Sequence, residues 1–277
     1  MALRKPAIAA ILLLLTAGAW LASAQFRRYR STNSNNRWAQ YEAEMQDPVD
    51  DPSDAGEKTE FAFARLRYRS PRDGRGWYRR SRWGIDANKS DRLFIQSLRR
   101  LTRIHSRSIE EVVDIDSDEI FEWPWLYAVG IGDWQLTDRQ ALRMRQYFER
   151  GGFFMVDDFH NEYEWASFMA GMEKVIPNPR VIELPDDAPI FHTVYDLSQR
   201  FRPPGLNVVH GDQIERGGTY PHWRAVVDEK NRVLVAICFN MDLGDAWEWA
   251  DLPEYPEKYS SMAFRMGVNY VIYAMTH

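Results

Sequence analysis

The chain has 277 residues, a formal net charge of -5, a single cysteine and 45% hydrophobic residues. A surplus of carboxylates repels phosphate backbones, so the composition argues against nucleic acid as a partner. Because Cys238 has no second cysteine to pair with, no intramolecular disulfide forms and the fold depends on burial. A chain of this length buries roughly three quarters of its unfolded surface, which suits one large α/β domain.

Residues 1–24 have the order of a secretory signal peptide. Arg4 and Lys5 precede an apolar run at residues 7–21, and small residues follow at 22–24. The run is shorter than the roughly 20 residues that span a bilayer, so cleavage is predicted in preference to a permanent anchor. We therefore expect a periplasmic or extracellular protein. If the segment stays uncleaved, it instead anchors the chain in the inner membrane, and this is the one membrane contact that we predict.

The domain organisation follows from composition. Residues 25–60 are rich in Ser, Asn, Asp and Pro, which predicts a disordered linker. The folded domain is predicted at residues 61–277, and its first strand lies at residues 61–68. A helix over residues 90–101 and a short apolar strand at residues 125–129 follow.

The clearest local signals surround one βαβ unit. Thr137 and Gln140 have the spacing of a capping box at the start of a helix, and Gly151 with Gly152 supplies its left-handed stop. The apolar run at residues 153–156 then predicts a central parallel strand that is covered on both faces. Strand, helix and strand in this order predict an α/β fold with a parallel sheet between helices.

Apolar stretches in the second half of the chain predict the remaining elements. They are a helix that includes Trp165, Phe168, Met169 and Met172, strands at residues 181–184, 206–209, 223–227 and 233–239, and a closing helix at residues 261–275. The last two strands are joined through residues 229–231 and predict an added C-terminal β-hairpin.

In open parallel sheets, ligands bind beyond the carboxyl ends of the strands, where loops and helix N-termini converge. Polar residues follow three predicted strands: Gly130, Gly132 and Asp133, then Asp157, Asp158 and His160, then Asn240, Asp242 and Asp245. The candidate catalytic residues are Asp157, Asp158 and His160. The candidate ligand-binding residues are Gly130, Gly132, His192, Asn240 and Asp242.

Adjacent Asp157 and Asp158 cannot both point into one pocket from an extended strand. A sharp strand-to-helix turn lets one carboxylate meet a ligand while the other caps the helix. The alternative is that both carboxylates accept hydrogen bonds from backbone amides of a tight turn.

A divalent metal is a candidate cofactor. His160 and His192 lie near acidic residues, which permits a mixed site with Asp157, Asp158 or Asp242. The sequence has no close ligand pair such as H-x-x-x-H, and His192 equally suits a partly buried loop. The sequence therefore leaves metal use open.

The nucleophiles of common hydrolases do not appear in the sequence. It contains no G-x-S-x-G elbow, which argues against a Ser-His-Asp hydrolase. Cys238 lies in an apolar strand, where burial disfavours the thiolate, so it is predicted to be a packing residue.

Arginines and tryptophans are two further candidate site features. Eight arginines between Arg65 and Arg82 either bind an anion through bidentate contacts or pair with carboxylates. Most of the 11 tryptophans are expected in the core, but Trp247 and Trp249 follow a predicted site loop and are the best candidates for exposure.

Several ordered motifs resemble a known bacterial family. They are ARLRY at residues 64–68, FEWPWLY at 121–127, GGFFMVDD at 151–158, PIFH at 189–192, NMDL at 240–243 and RMGVNY at 265–270. Together they are similar to the family called domain of unknown function 4159, from about residue 61 to the C-terminus. That family is similar to the class I glutamine amidotransferase-like, flavodoxin-like α/β group, which implies a parallel sheet between helices.

The resemblance also bears on activity. Amidotransferases of that group carry a G-x-C-x-G elbow where this chain reads MVDDF at residues 155–159. A carboxylate cannot form the thioester that glutamine hydrolysis needs, so amidotransferase activity is expected to be absent. Related trehalose-utilisation-like proteins also lack that cysteine, which keeps a carbohydrate ligand open by analogy of fold.

Two functions fit these observations. The favoured hypothesis is an exported ligand-binding or assembly module of the cell envelope, with a carbohydrate or an envelope protein as partner. The alternative is a metal- or carboxylate-dependent hydrolase of a carbohydrate-like substrate. In that case Asp157 or Asp158 is the general base or metal ligand, and His160 or His192 assists proton transfer.

Overall fold

The computed structural model describes residues 51–73, 81–211 and 214–277, which form a mixed α/β domain. Its strands are β1 (Ala64–Arg67), β2 (Glu111–Asp114), β3 (Trp125–Val129), β4 (Phe153–Phe159), β5 (Val181–Glu183), β6 (His222–Val227) and β7 (Val233–Phe239). The α-helices among the described residues are α1 (Lys89–Leu101), α2 (Asp138–Glu149), α3 (Asn161–Val175), α4 (Leu206–Val209), α5 (Leu243–Glu248) and α6 (Glu257–Thr276). The predicted signal peptide and most of the predicted linker lie outside the described residues.

The seven strands form one sheet in the order β2-β1-β3-β4-β7-β6-β5. Neighbouring strands from β2 to β7 are parallel, whereas β6 is antiparallel to both β7 and β5. The five parallel strands therefore end at one edge of the sheet, which we call the carboxyl edge. Because β6 runs the opposite way, the segment that precedes it also arrives at this edge.

β4 is the central strand that the apolar run predicts, and it is buried along its whole length. Successive side chains of a strand point to opposite faces of the sheet. On one face the ring of Phe153 lies 6.3 Å from Tyr270 of α6, and on the other Phe154 lies 6.2 Å from Trp134. Trp134 in turn stacks on Phe168 of α3 at 5.7 Å. The predicted burial on both faces is confirmed.

The predicted capping box and glycine stop of α2 are confirmed. The Thr137 side chain accepts a hydrogen bond from the Gln140 backbone at 3.2 Å, and the Gln140 side chain accepts one from the Thr137 backbone at 3.1 Å. After the helix, Gly151 has a φ of +95°, a conformation that costs glycine little. These local signals fix where β4 begins.

Residues 206–209 form the short helix α4, so the predicted strand is wrong. The backbone N–H of Leu206 donates to the Asp245 carboxylate at 2.6 Å, and that of Val208 donates to the Gly205 carbonyl at 3.1 Å. A distant carboxylate thus caps this segment, and apolar composition alone cannot reveal such a cap. Sequence patterns also did not predict β2 and α5, which are only four and six residues long.

Trp247 is 0% exposed, so its predicted exposure is wrong. α5 packs on α1 and places the Trp247 ring 4.7 Å from Phe94 and 5.5 Å from Tyr127. Trp249 is half-buried, with the Lys89 ammonium 4.8 Å from its ring. Cys238 is also 0% exposed, which confirms a packing role, and burial raises the pKa of its thiol well above the usual range.

Four arginines of the basic stretch pair with carboxylates. Arg65 is fully buried and donates to Asp91 at 2.7 Å, and Arg67 lies 2.9 Å from Asp114. Arg72 and Arg82 face carboxylates of the carboxyl edge, described below. Arg75, Arg79 and Arg80 lie outside the described residues. The described contacts therefore support ion pairing with carboxylates and not the alternative of an anion-binding patch.

The closing helix that the sequence predicts is α6, and it is the longest helix of the described residues. Met266 and Val271 are among its fully buried side chains, which face the sheet and α5. In the described part of the chain, no helix combines the length and the apolar character needed to cross a membrane.

Candidate functional site

Near its carboxyl end, β4 contains a bulge that sends its two carboxylates, Asp157 and Asp158, in different directions. Asp158 has a φ of +52°, and the register between β4 and β7 shifts between Val156 and Phe159. A left-handed backbone at a non-glycine residue is uncommon and strained, and such positions concentrate at functional sites. This bulge therefore places Asp157 and Asp158 in different surroundings.

Asp157 is a capping residue. Its Oδ2 accepts hydrogen bonds from the backbone N–H groups of Leu243 at 2.7 Å and Gly244 at 2.9 Å, and from the Tyr127 hydroxyl at 3.3 Å. Complete burial, together with the charge of Asp158, raises the pKa of Asp157 well above its usual range. The capped helix is α5, across the sheet, and not the helix that follows β4.

Asp158 faces the carboxyl edge. Its Oδ1 accepts a hydrogen bond from Arg216 Nη2 at 2.5 Å and lies 3.2 Å from His160 Nε2. Burial acts to raise the pKa of Asp158, but Arg216 and His160 outweigh burial and lower it to about 2. Asp158 is therefore a charged carboxylate in a nearly buried position.

The loop before β6 supplies Glu215 and Arg216, which sequence reasoning missed. β6 is antiparallel, so this loop reaches the carboxyl edge from the amino end of its strand. Two asparagines hold it there: Asn161 donates to the Arg216 carbonyl at 2.9 Å, and Asn240 donates to the Tyr220 carbonyl at 2.7 Å. A search limited to the ends of parallel strands cannot find these residues.

His160, Asp158 and Glu215 form what we call the histidine cluster, whose candidate ligand atoms lie within 4.8 Å of one another. The His160 ring is fully buried, and its Nε2 lies 4.0 Å from Glu215 Oε2. Its Nδ1 makes no hydrogen bond. The same Glu215 oxygen accepts the backbone N–H of Gly205 at 2.9 Å.

Asp86, Asp242 and Asp245 form a second group, the carboxylate cluster, whose oxygens also lie within 4.8 Å of one another. Asp242 caps α5 by accepting the Asp245 backbone N–H at 2.7 Å. Burial and mutual repulsion raise the pKa values of Asp86 and Asp242 well above the usual range. Burial, together with the charges of Asp158 and Glu215, raises the pKa of Asp245 to about 6.

A belt of ion pairs fixes the backbone beside the histidine cluster. Glu164 accepts the His160 backbone N–H at 2.8 Å and lies 3.5 Å from Arg72 and 3.6 Å from Arg82. Asp133 lies 3.0 Å from Arg72 and 3.8 Å from Arg82. These pairs join the loops after β1, β3 and β4 and hold His160 in place.

Three predicted ligand-binding residues shape this edge. Gly130 has a φ of +61° and donates its N–H to the Asp157 carbonyl at 3.0 Å. A Cβ at Gly132 would lie 2.4 Å from the Glu164 Cβ, so only glycine fits there. Asn240 accepts the Asn161 backbone N–H at 3.0 Å. Gly130 and Gly132 thus act through backbone geometry, and Asn240 acts through side-chain hydrogen bonds.

His192 is not brought together with the other predicted site residues. Its Nε2 lies 2.8 Å from the Asp186 carbonyl, and its Nδ1 lies 3.3 Å from the Asp196 carboxylate. The neighbouring Thr193 donates to a carbonyl of α6, at Asn269. These contacts tie the His192 loop to the C-terminal helix.

The family model described as Domain of unknown function (DUF4159) matches residues 62–275. The chain belongs to this family. Comparison with curated proteins finds no match. The matched span contains all seven described strands and all members of both clusters. The bulge in β4 and the loop before β6 therefore lie within the family's domain.

The geometry of the DUF4159 domain permits two kinds of chemistry at the histidine cluster. An imidazole oriented by a charged carboxylate can accept a proton from water or from a substrate hydroxyl. Two carboxylates and an imidazole can also hold a divalent cation. Both depend on Asp158, His160 and Glu215 and neither requires Asp157.

Proposed function

We propose that this DUF4159 domain is a hydrolase that acts on a carbohydrate-like substrate at the carboxyl edge of its sheet. The observation that carries the proposal is the bulge near the carboxyl end of β4, which presents Asp158 in a left-handed conformation beside His160 and Glu215. A strained backbone position at the end of a strand is also how α/β hydrolases expose their nucleophile. With a carboxylate at this position, activation of water replaces the acyl-enzyme chemistry of a serine or cysteine.

Burial supports catalysis over simple binding. The His160 ring is fully buried, yet its Nδ1 lacks a hydrogen bond, and buried polar atoms without partners cost free energy. Strongly perturbed carboxylates surround it, and such groups concentrate in active sites. A module that only bound an envelope partner would not need this arrangement.

Charge supports a neutral substrate. Carboxylates of the histidine cluster and of the ion-pair belt line this edge, and the arginines there already contact them: Arg216 contacts Asp158, and Arg72 and Arg82 contact Glu164. An anionic substrate would meet this surplus of negative charge. Sugar hydroxyls, in contrast, donate hydrogen bonds to carboxylates.

We also infer a flavodoxin-like fold related to class I glutamine amidotransferases. Numbered along the chain, the five parallel strands have the order 2-1-3-4-5, which is the flavodoxin-like order. The pair β6 and β7 then corresponds to the added C-terminal hairpin. Asp158 stands at the position that carries the catalytic cysteine in class I glutamine amidotransferases. The cysteine of this chain, Cys238, is buried within β7. Hydrolysis in this domain therefore proceeds without a thioester.

We further propose that the domain works outside the cytoplasm, as the sequence of residues 1–24 indicates. Fractionation of cells that produce the full chain, followed by sequencing of the mature N-terminus, tests this. A chain beginning at residue 25 in the exported fraction supports the proposal. A full-length cytoplasmic chain contradicts it.

The test of hydrolysis is release of reducing ends from neutral oligosaccharides and glycosides by the purified protein. We expect Asp158→Asn to lower the rate by about 10²- to 10⁴-fold, as for loss of a general acid–base group. Asp187→Asn, at an exposed position, is the matched control and keeps the wild-type rate. Unchanged activity in Asp158→Asn contradicts the proposal. Wild-type protein that binds glycans or an envelope protein without cleaving any substrate returns the domain to the binding-module hypothesis.

A further inference from the structure

We propose that the histidine cluster binds one divalent transition-metal ion through Asp158, His160 and Glu215. This inference rests on the proposed function, because it names the cofactor of the same site. Three observations carry it: the spacing of the donor atoms, the contacts that orient them, and a nearly buried carboxylate, Glu215, that makes no ion pair with a lysine or arginine of the described residues.

The spacing of the donor atoms fits one ion. His160 Nε2 lies 3.2 Å from Asp158 Oδ1 and 4.0 Å from Glu215 Oε2. Ligands that bind zinc at about 2.0–2.2 Å are separated from one another by roughly 3–4 Å. An ion therefore fits among these three atoms with small movements of the side chains.

The three donors are already oriented by other groups. Arg216 donates to Asp158 Oδ1 at 2.5 Å, and the Gly205 backbone donates to Glu215 Oε2 at 2.9 Å. Glu164 accepts the His160 backbone N–H at 2.8 Å. Hydrogen bonds of this kind around metal ligands fix their geometry and support affinity.

One carboxylate of the cluster, Glu215, makes no ion pair with a lysine or arginine among the described residues. Its side chain is 11% exposed. A nearly buried carboxylate without a cation is costly, and a bound cation removes that cost.

The carboxylate cluster does not offer the same site. The cluster contains no imidazole. One imidazole nitrogen with two carboxylates suits Zn²⁺ or Mn²⁺, whereas Ca²⁺ and Mg²⁺ prefer oxygen ligands. We therefore expect the ion in the histidine cluster, where it would polarise water for the proposed hydrolysis.

The test is calorimetric titration of the full chain with Zn²⁺ after treatment with EDTA, together with elemental analysis of bound zinc. We expect one equivalent in the wild type, and an affinity at least about 100-fold lower in Glu215→Gln and in His160→Gln. Asp242→Asn and Glu183→Gln are matched controls. The second removes the exposed His222–Glu183 pair, a candidate for adventitious zinc. Both controls keep the tight site, and Mg²⁺ does not replace Zn²⁺.

Thermal unfolding of each variant establishes that it is folded. The inference is overturned if the wild type binds no stoichiometric zinc, if Glu215→Gln binds it as tightly as the wild type, or if Asp242→Asn alone removes the site. Failure of the proposed function looks different. Zinc binding without hydrolysis refutes the hydrolase and leaves the metal site standing, whereas zinc-free protein whose hydrolysis survives EDTA refutes the metal site and leaves the hydrolase standing.

Discussion

The two acidic clusters of the carboxyl edge are alike in size and burial but differ in charge. In the histidine cluster, contact with Arg216 lowers the pKa of Asp158 to about 2 despite burial. In the carboxylate cluster, burial and repulsion raise the pKa of Asp245 to about 6 and that of Asp242 further above its usual range. Contact with a cation, more than depth, thus decides which buried carboxylate is charged and able to do chemistry.

The same difference separates neighbours in the chain. Asp157 accepts the backbone N–H groups of α5, whereas Asp158, one residue later, contacts Arg216 and His160. We therefore assign a structural role to Asp157 and the carboxylate cluster, and a catalytic role to the histidine cluster. This division of roles can be tested by substitution.

The largest stability effect is expected for Asp157→Ala. It leaves two buried N–H groups of α5 and the Tyr127 hydroxyl without their acceptor, which costs about 2–4 kcal/mol. At this size, the melting temperature falls by about 2–4 °C for each kcal/mol. Asp158→Asn keeps the shape of the side chain and an oxygen that can accept from Arg216, so its loss of the ion-pair charge is expected to cost less, about 1–2 kcal/mol. Urea denaturation checks both, and equal losses contradict the division.

The carboxylate cluster predicts a dependence of stability on pH. The pKa of Asp245 is raised in the folded state, so the folded protein holds its proton while the unfolded chain has released it. This contribution is fully present below about pH 4 and is lost as the pH rises to about 6, with an upper limit of about 3 kcal/mol. Asp245→Asn flattens this part of the urea-denaturation profile between pH 4 and 7, and Asp187→Asn leaves it unchanged. A steeper profile in Asp245→Asn would refute this prediction.

A smaller effect is expected for Gly218→Ala, which tests whether the loop before β6 is held against His160. An added Cβ would lie 2.5 Å from the Asn240 side-chain oxygen and 3.0 Å from His160 Nδ1. We expect zinc binding to weaken about 10-fold, whereas the free energy of unfolding falls by only about 1 kcal/mol. The control is Gly56→Ala, where no atom lies within 4 Å of the added carbon. Wild-type zinc affinity in Gly218→Ala would show that the loop is not held against His160.

The smallest effect is expected at Cys238. Because burial raises the pKa of its thiol well above the usual range, a thiol reagent such as DTNB reacts with the native protein far more slowly than with the urea-unfolded protein. Rapid reaction of the native protein would contradict the packing role.

Much of the sheet could be predicted because its signals are local. The capping box at Thr137, the stop at Gly151 and the apolar run of β4 each act over a few residues. The alternatives for Asp157 and Asp158 also followed from strand geometry, although the helix that Asp157 caps is α5, which no local pattern indicated.

The missed features depend on distant contacts. Glu215 reaches His160 only because β6 runs antiparallel to β7, and α4 is capped by Asp245, almost 40 residues later in the chain. Trp247 is buried because α5 packs on α1. None of these pairings has a signature in the nearby sequence.

The most direct test of the central claim is a side-by-side measurement of oligosaccharide hydrolysis by Asp158→Asn and Asp242→Asn, at a temperature where both are folded. Both variants replace a carboxyl group with an amide of nearly the same size: a charged carboxylate in Asp158→Asn, and in Asp242→Asn a carboxyl group whose pKa burial raises. The account predicts that Asp158→Asn lowers the rate by about 10²- to 10⁴-fold, whereas Asp242→Asn stays within about 3-fold of the wild type, since its cluster is architectural. Activity retained in Asp158→Asn and lost in Asp242→Asn would contradict it and move the chemistry to the carboxylate cluster.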